Sequence, residues 1–162
     1  MILNRLELKD KILKLKSNNK KTVFTNGCFD ILHLGHHTYL KQSSNLGDFL
    51  VVAINSDESV KLLKGSDRPI NNQELRSKNL MKLEFVDAVI IFAEKTPENL
   101  IEFLLPDILT KGGDYLSNEI AGASFIEKNG GKAVVLPYLK GYSTTNIINS
   151  RGKGLTGEIG SG

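Results

Sequence analysis

Tryptophan is missing from this chain of 162 residues, and cysteine is reduced to one, Cys28. A single thiol excludes an internal disulfide and fits a reducing compartment. No apolar run approaches the roughly 20 residues of a membrane-spanning helix; the longest are Phe49–Ile54 and Ala88–Ala93. Met1–Lys16 is charged throughout, without the apolar centre or small-residue cleavage site of a signal peptide. Charge of one sign does not dominate either: 21 Lys and Arg against 18 Asp and Glu leave +3. That is too little for the basic stripe of a nucleic-acid binder, but it suits anionic small molecules. The lysines between Lys9 and Lys21 read as a solvated helix face and linker. The expectation is a cytoplasmic protein with small-molecule substrates and neither a nucleic-acid nor a membrane partner.

What is present is enough for one core. Hydrophobic residues make up 40% and charged residues 24%, the balance of a globular domain, placed here over residues 1–150. Residues 1–18 hold a helix, expected over 4–16, and the Gly-rich segment 151–162 reads as a flexible tail. Beyond Ser17-Asn18-Asn19 the chain alternates. Strands are expected at 21–25, 49–55, 88–92, 108–111 and 133–136. Helices are expected at 35–46, 56–63, 71–83, 97–104 and 118–128, with a last one from about Ser143. Asn71 followed by Glu74 suggests a capping box, and Thr96-Pro97 suggests an N-cap with proline in the first turn. The run Phe49–Asn55 is apolar without alternation, as when both faces of a parallel sheet are covered. The pattern defines an α/β fold: a doubly wound, Rossmann-like, five-stranded parallel sheet. Ligands then belong at the carboxyl ends of the strands, where strand order reverses.

The strongest chemical signal stands straight after the first strand: Thr25-Asn26-Gly27-Cys28-Phe29-Asp30-Ile31-Leu32-His33-Leu34-Gly35-His36. Two histidines three apart can bring both imidazoles to a helix N-terminus, where exposed N–H groups already favour phosphate. Gly27 allows a sharp exit from the strand, and Gly35 keeps the backbone open to a phosphate oxygen. Half of a zinc site is the rival reading, but one cysteine and one further histidine leave few ligands for it. No metal site built from protein side chains is expected. His37 reads as a solvated neighbour, and Cys28 as a small residue in a tight turn. Ser143-Thr144-Thr145 offers hydroxyls and main-chain donors at a helix start, which suits the β- and γ-phosphates of a nucleotide.

These residues resemble the cytidylyltransferase-like nucleotidyltransferases, whose signature is Gly27-x-Phe29-Asp30 followed by His33-x-Gly35-His36. The resemblance runs over about residues 20–150. Its wording is similar to the ADP-heptose synthase branch in Asn26–Asp30, Asn55-Ser56-Asp57, Lys64-Gly65 with Arg68-Pro69, Lys111-Gly112-Gly113-Asp114-Tyr115 and Ser143–Ile148. It implies transfer of AMP from ATP to D-glycero-β-D-manno-heptose 1-phosphate, with Mg²⁺ arriving on the triphosphate and a possible homodimer. That branch is often fused behind a sugar kinase, and this chain is similar to its stand-alone form. The resemblance implies catalytic roles for His33, His36 and Lys64. Nucleotide or phosphate contacts are implied for Thr25, Asn26, Gly27, Cys28, Phe29, Gly35, Arg76, Lys111, Gly112, Ser143, Thr144 and Thr145. Acceptor contacts would fall to Asp30, Asn55, Asp57, Arg68, Gly113, Asp114 and Tyr115. For Arg68 a salt bridge is an equal alternative.

Glycerol-3-phosphate or ethanolamine-phosphate cytidylyltransferase stays open on the same fold. Those relatives carry Arg-Thr-Glu-Gly-Ile before the Ser-Thr segment, where this chain has Leu139-Lys140-Gly141-Tyr142. A non-catalytic nucleotide-binding module is the rival from another class. A class I synthetase fragment is disfavoured, because no Lys-Met-Ser-Lys-Ser loop is present.

Overall fold

The computed structural model describes residues 1–113 and 119–137. The expected helix from Ser143 and the tail 151–162 lie outside the described residues. In chain order the elements are α1 (Arg5–Ser17), β1 (Thr22–Gly27), α2 (Leu34–Ser44), β2 (Phe49–Asn55), α3 (Asp57–Lys64), α4 (Gln73–Met81), β3 (Ala88–Phe92), α5 (Glu98–Leu104), β4 (Ile108–Gly112), α6 (Ala123–Lys128) and β5 (Lys132–Leu136). The five strands form one parallel sheet in the order β3-β2-β1-β4-β5, so the order reverses between β1 and β4.

Side chains alternate along each strand and feed two cores. Phe24, Val51, Ala53 and Ile90 face α1, α5 and α6 through Leu8, Ile12, Leu100, Leu104 and Ile126. Val23, Val52, Ile54 and Val89 face α2 and α4 through Tyr39, Leu40 and Leu80. Every residue of β2 is buried, which explains its unbroken apolar run.

The amino ends of the strands are braced by carboxylates. Asp48 accepts from Lys21 N, Asp107 from Thr22 N and Asp87 from Leu50 N, all within 2.9 Å. Met1 and Leu3 bond to Val89 and cover the β3 edge. Gly131 admits β5 beside β4: a Cβ there would stand 2.6 Å from Ile126 Cγ2 and closer still to the Asp107 carbonyl. Gly131→Ala is expected to cost about 1–3 kcal/mol, read as a lower denaturant midpoint.

Four local expectations shift. Helix α6 opens at Ala123, after Gly122 in a left-handed conformation, and not near residue 118. β1 continues through Asn26-Gly27 because its ladder with β2 runs to the pair Gly27↔Ile54. The α4 cap is Asn72, which accepts from Leu75 N; the Asn71 side chain instead donates to the Asp30 carbonyl. Helix α5 begins after Pro97, and Thr96 Oγ1 accepts from Glu98 N at 3.5 Å. In α1 a full Asn4/Glu7 capping box sets the start.

Candidate active site

The ladder between β1 and β4 is formed by the pairs Val23↔Ile108 and Phe24↔Leu109, whereas β1 with β2 and β4 with β5 stay paired to their carboxyl ends. A crevice therefore opens between β1 and β4 at the reversal point, the place where open parallel sheets take ligands. The turn leaving β1 lines it. Phe29 is buried at φ +49, a left-handed conformation that is an outlier for a bulky side chain. Held this way, the chain turns from the sheet into α2.

His33 is the N-cap of α2, and its Nδ1 accepts from Gly35 N at 3.0 Å. Nδ1 is thus an acceptor, so the proton of the neutral ring sits on Nε2. His36, one turn on, is 4% exposed, and its ring stacks on His33 with centroids 3.9 Å apart. Phe29 meets the His36 ring edge-on at 5.3 Å. Among the described residues, neither ring nitrogen of His36 makes a full hydrogen bond; the Ile31 main chain offers a weaker contact. A buried, unsatisfied polar group costs about 1–3 kcal/mol, and an arriving acceptor would relieve that cost.

Burial lowers the His36 pKa to about 3, helped by the neighbouring His33 and by Lys64 and opposed to a smaller extent by the Ile31 main chain. The ring is therefore neutral at pH 7 and retains one N–H to donate. The sign of the linkage follows. Between pH 6.5 and about 3 the unfolded chain binds a proton on His36 that the folded chain refuses. The stability contribution is full above 6.5 and is lost as pH falls towards 3, by an amount on the order of 5 kcal/mol. His36→Leu is expected to flatten that part of the profile, read from urea midpoints across the same range.

Two lysines complete the cationic side. Lys64 is exposed at the end of α3 and lies near enough to bear on His36, Cys28 and Lys111. Lys111, on β4, donates to the Asn26 carbonyl at 3.4 Å across the crevice. Burial lowers its pKa to about 8, with Lys64 adding to the shift and Cys28 opposing it. An anion in the crevice would pull that pKa back up. Burial raises the Cys28 thiol, against the pull of Lys64, Arg76 and Lys111, and its Sγ lies 3.6 Å from Asn55 Oδ1. Gly112 and Gly113 are buried at the end of β4.

Several expected contacts prove to be internal. Arg76 is 0% exposed: Nε donates to Asn71 O, one terminal nitrogen to Cys28 O and Asn55 O, and the other to Asp57 Oδ1 at 2.8 Å. The structure thus departs from the expected nucleotide contact: the side chain is buried, and four of its five N–H donors are engaged by protein. Asp57 is held by the same pair, and Asn55 Nδ2 donates to Ser59 Oγ at 3.0 Å. Asp30 accepts from Ile70 N and Asn71 N at 2.8 Å each and faces Arg68 at 3.5 Å. It clasps the loop before α4, and the Arg68 side chain pairs with it while staying partly exposed. The Thr25 hydroxyl is buried against Tyr39 and Thr110. Asp114, Tyr115, Ser143, Thr144 and Thr145 lie outside the described residues. His37 is exposed and rests edge-on against Phe85.

No group of three His, Cys, Asp or Glu side chains suited to a metal ion occurs among the described residues. Asp30 and Asp57, the carboxylates nearest the signature, are already engaged. No described helix is long and apolar enough to cross a membrane.

A Rossmann-like sheet, with a paired-histidine helix start at its reversal point, defines the class, and the model of the cytidylyltransferase-like family matches residues 24–150. The chain belongs to that family. It is 52% identical over 147 residues to the bifunctional protein HldE of Haemophilus influenzae (strain PittGG), covering 91% of this chain and 31% of that protein. It is 51% identical over 140 residues to the bifunctional protein HldE of Campylobacter fetus subsp. fetus, covering 86% and 30%. The chain thus spans about a third of the length of these relatives. The lipopolysaccharide core biosynthesis protein from Thermoplasma volcanium GSS1 has a similar structure, with a TM-score of 0.61 and 36% identity over 75% of this chain and 98% of that one. Pantoate-beta-alanine ligase from Francisella tularensis shares the fold, at a TM-score of 0.63 and 16% identity over 93% of this chain and 72% of that one.

Proposed function

We propose that this chain is a cytoplasmic adenylyltransferase that moves AMP from ATP to a sugar 1-phosphate of the heptose class, D-glycero-β-D-manno-heptose 1-phosphate. The observation that carries the reading is His36: a neutral, buried imidazole with unsatisfied nitrogens, stacked on His33 at a helix start in the crevice. A polyanion is the guest that such a cap recruits. The branch-specific wording of Asn26–Asp30 and Lys111–Tyr115, and the identity to the HldE proteins, support the acceptor and the base.

An ionised oxygen of the acceptor phosphate attacks the α-phosphorus of ATP as the bond from that phosphorus to the β-bridging oxygen breaks, and pyrophosphate leaves. The nucleophile is already deprotonated, so no general base is required. His33 Nε2–H and the His36 N–H donate to phosphoryl oxygens as their charge grows. Lys64 and Lys111 hold the phosphates in line. A divalent cation such as Mg²⁺, carried on the triphosphate and not held by protein carboxylates, would neutralise part of the phosphate charge.

The test is pyrophosphate release measured with ATP, CTP, GTP and UTP against heptose 1-phosphate, glycerol 3-phosphate and phosphoethanolamine. ATP with heptose 1-phosphate is expected to be fastest. Preference for CTP with either other acceptor would overturn the assignment, as would nucleotide binding without turnover on any acceptor.

A further inference from the structure

Beyond the pair Phe24↔Leu109, the recorded links between β1 and β4 include the side-chain bonds Thr25 Oγ1 to Thr110 O and Lys111 Nζ to Asn26 O. The first belongs to a buried cluster of four hydroxyls. Thr25 Oγ1 lies 2.5 Å from Tyr39 Oη, Tyr39 Oη 3.2 Å from Thr110 Oγ1, and Thr110 Oγ1 2.9 Å from Ser43 Oγ. All four residues are buried.

Thr25 Oγ1 also donates to the Thr110 carbonyl, 3.2 Å away. The cluster therefore ties α2, through Tyr39 and Ser43, to both β1 and β4. Tyr39 is its middle member, three residues beyond His36 on the same face of α2. Thr25 leads directly into Asn26-Gly27, and Thr110 into Lys111-Gly112.

We propose that Tyr39 is a positioning residue: through Thr25 and Thr110 its hydroxyl sets the height and rotation of α2, and so of His33 and His36, over the parted ends of β1 and β4. Apolar packing alone lets a helix slide on a sheet by fractions of an ångström. A buried hydrogen-bonded hydroxyl cluster narrows that freedom.

Tyr39→Phe tests this in two ways. The kinetic arm rests on the adenylyl transfer proposed above. There kcat is expected to fall about ten- to a hundred-fold, the range for small misplacements of reacting groups, with KM for ATP changed less than about threefold. Combined with the double variant His33→Ala/His36→Ala, it should lower kcat no further than that double variant alone. Additive losses would overturn the proposal, because Tyr39 would then not act through the histidines. The second arm needs no activity. This chain has three histidines, and the nitrogen resonances of the His33 and His36 rings should move in Tyr39→Phe while those of His37 stay. Unmoved rings would equally overturn it. Asn4→Ala, which removes the α1 cap, controls for stability loss and should leave kcat and rings unchanged. Should Tyr39→Phe fail to fold, Thr25→Val takes its place under the same criteria, with Thr25→Ser restoring the wild-type values. If the wild type turns over no substrate, the assigned reaction falls, and the ring resonances still decide the positioning role.

Discussion

Alanine at His36 is expected to slow pyrophosphate release by about 10²–10³ at saturating substrates, with a loss of the same order for His33→Ala. The effect should fall on kcat more than on KM, because a donor aimed at charge that develops during transfer adds little to ground-state binding. The two rings reach this task by different routes. His33 is oriented by the Gly35 N–H on its Nδ1, which leaves Nε2 as the donor. Among the described residues His36 has no comparable anchor on its nitrogens; it stacks on His33 and meets the edge of Phe29. His36→Asn, which keeps an N–H, should recover part of the loss. Removing an unsatisfied buried group should also leave the fold largely undisturbed, so melting temperature serves as the control. Near-normal turnover in both alanine variants would end the proposed mechanism.

Arg76→Met is expected to lower stability by about 3–5 kcal/mol, the range for removing one partner of a buried, charged network. Methionine keeps the stem but leaves the carbonyls of Asn71, Cys28 and Asn55 and the Asp57 carboxylate without their shared donor. Arg76→Lys should fall between the two, since an ammonium cannot span the same four acceptors. Urea unfolding reads both. A loss under about 1 kcal/mol in Arg76→Met would show that the guanidinium is not the strut it is described to be. The same residue also bears on the site, because the Cys28 carbonyl it holds belongs to the turn that leads to His33.

Arg76 also shows where reading from sequence stopped. A cation in a helix built mostly of polar residues reads as solvent-facing and available to a phosphate. Yet Arg76 and Leu80 are one turn apart and share the inward face, so the burial was legible in spacing and was overridden by residue type. The cap of α4 failed differently. Asn71 and Asn72 are both competent, and only the distant Asp30 carbonyl, reached by Asn71, decides between them. What succeeded rested on periodicity and on main-chain geometry. The apolar run of β2, the alternation of strands with helices and the glycines of the signature gave the sheet and the crevice at its reversal point. The hydroxyl cluster escaped notice because threonine near a strand end is ordinary. Its meaning appears only when β1, β4 and α2 are brought together.

The two ends of the sheet are fastened differently. At the amino ends Asp48, Asp87 and Asp107 each grip a main-chain N–H of a neighbouring strand. At the carboxyl ends, neighbours at the centre part company. Such a scaffold resembles a bouquet tied at the stems. Its rim can be re-cut to welcome a different guest while the knot below stays tight.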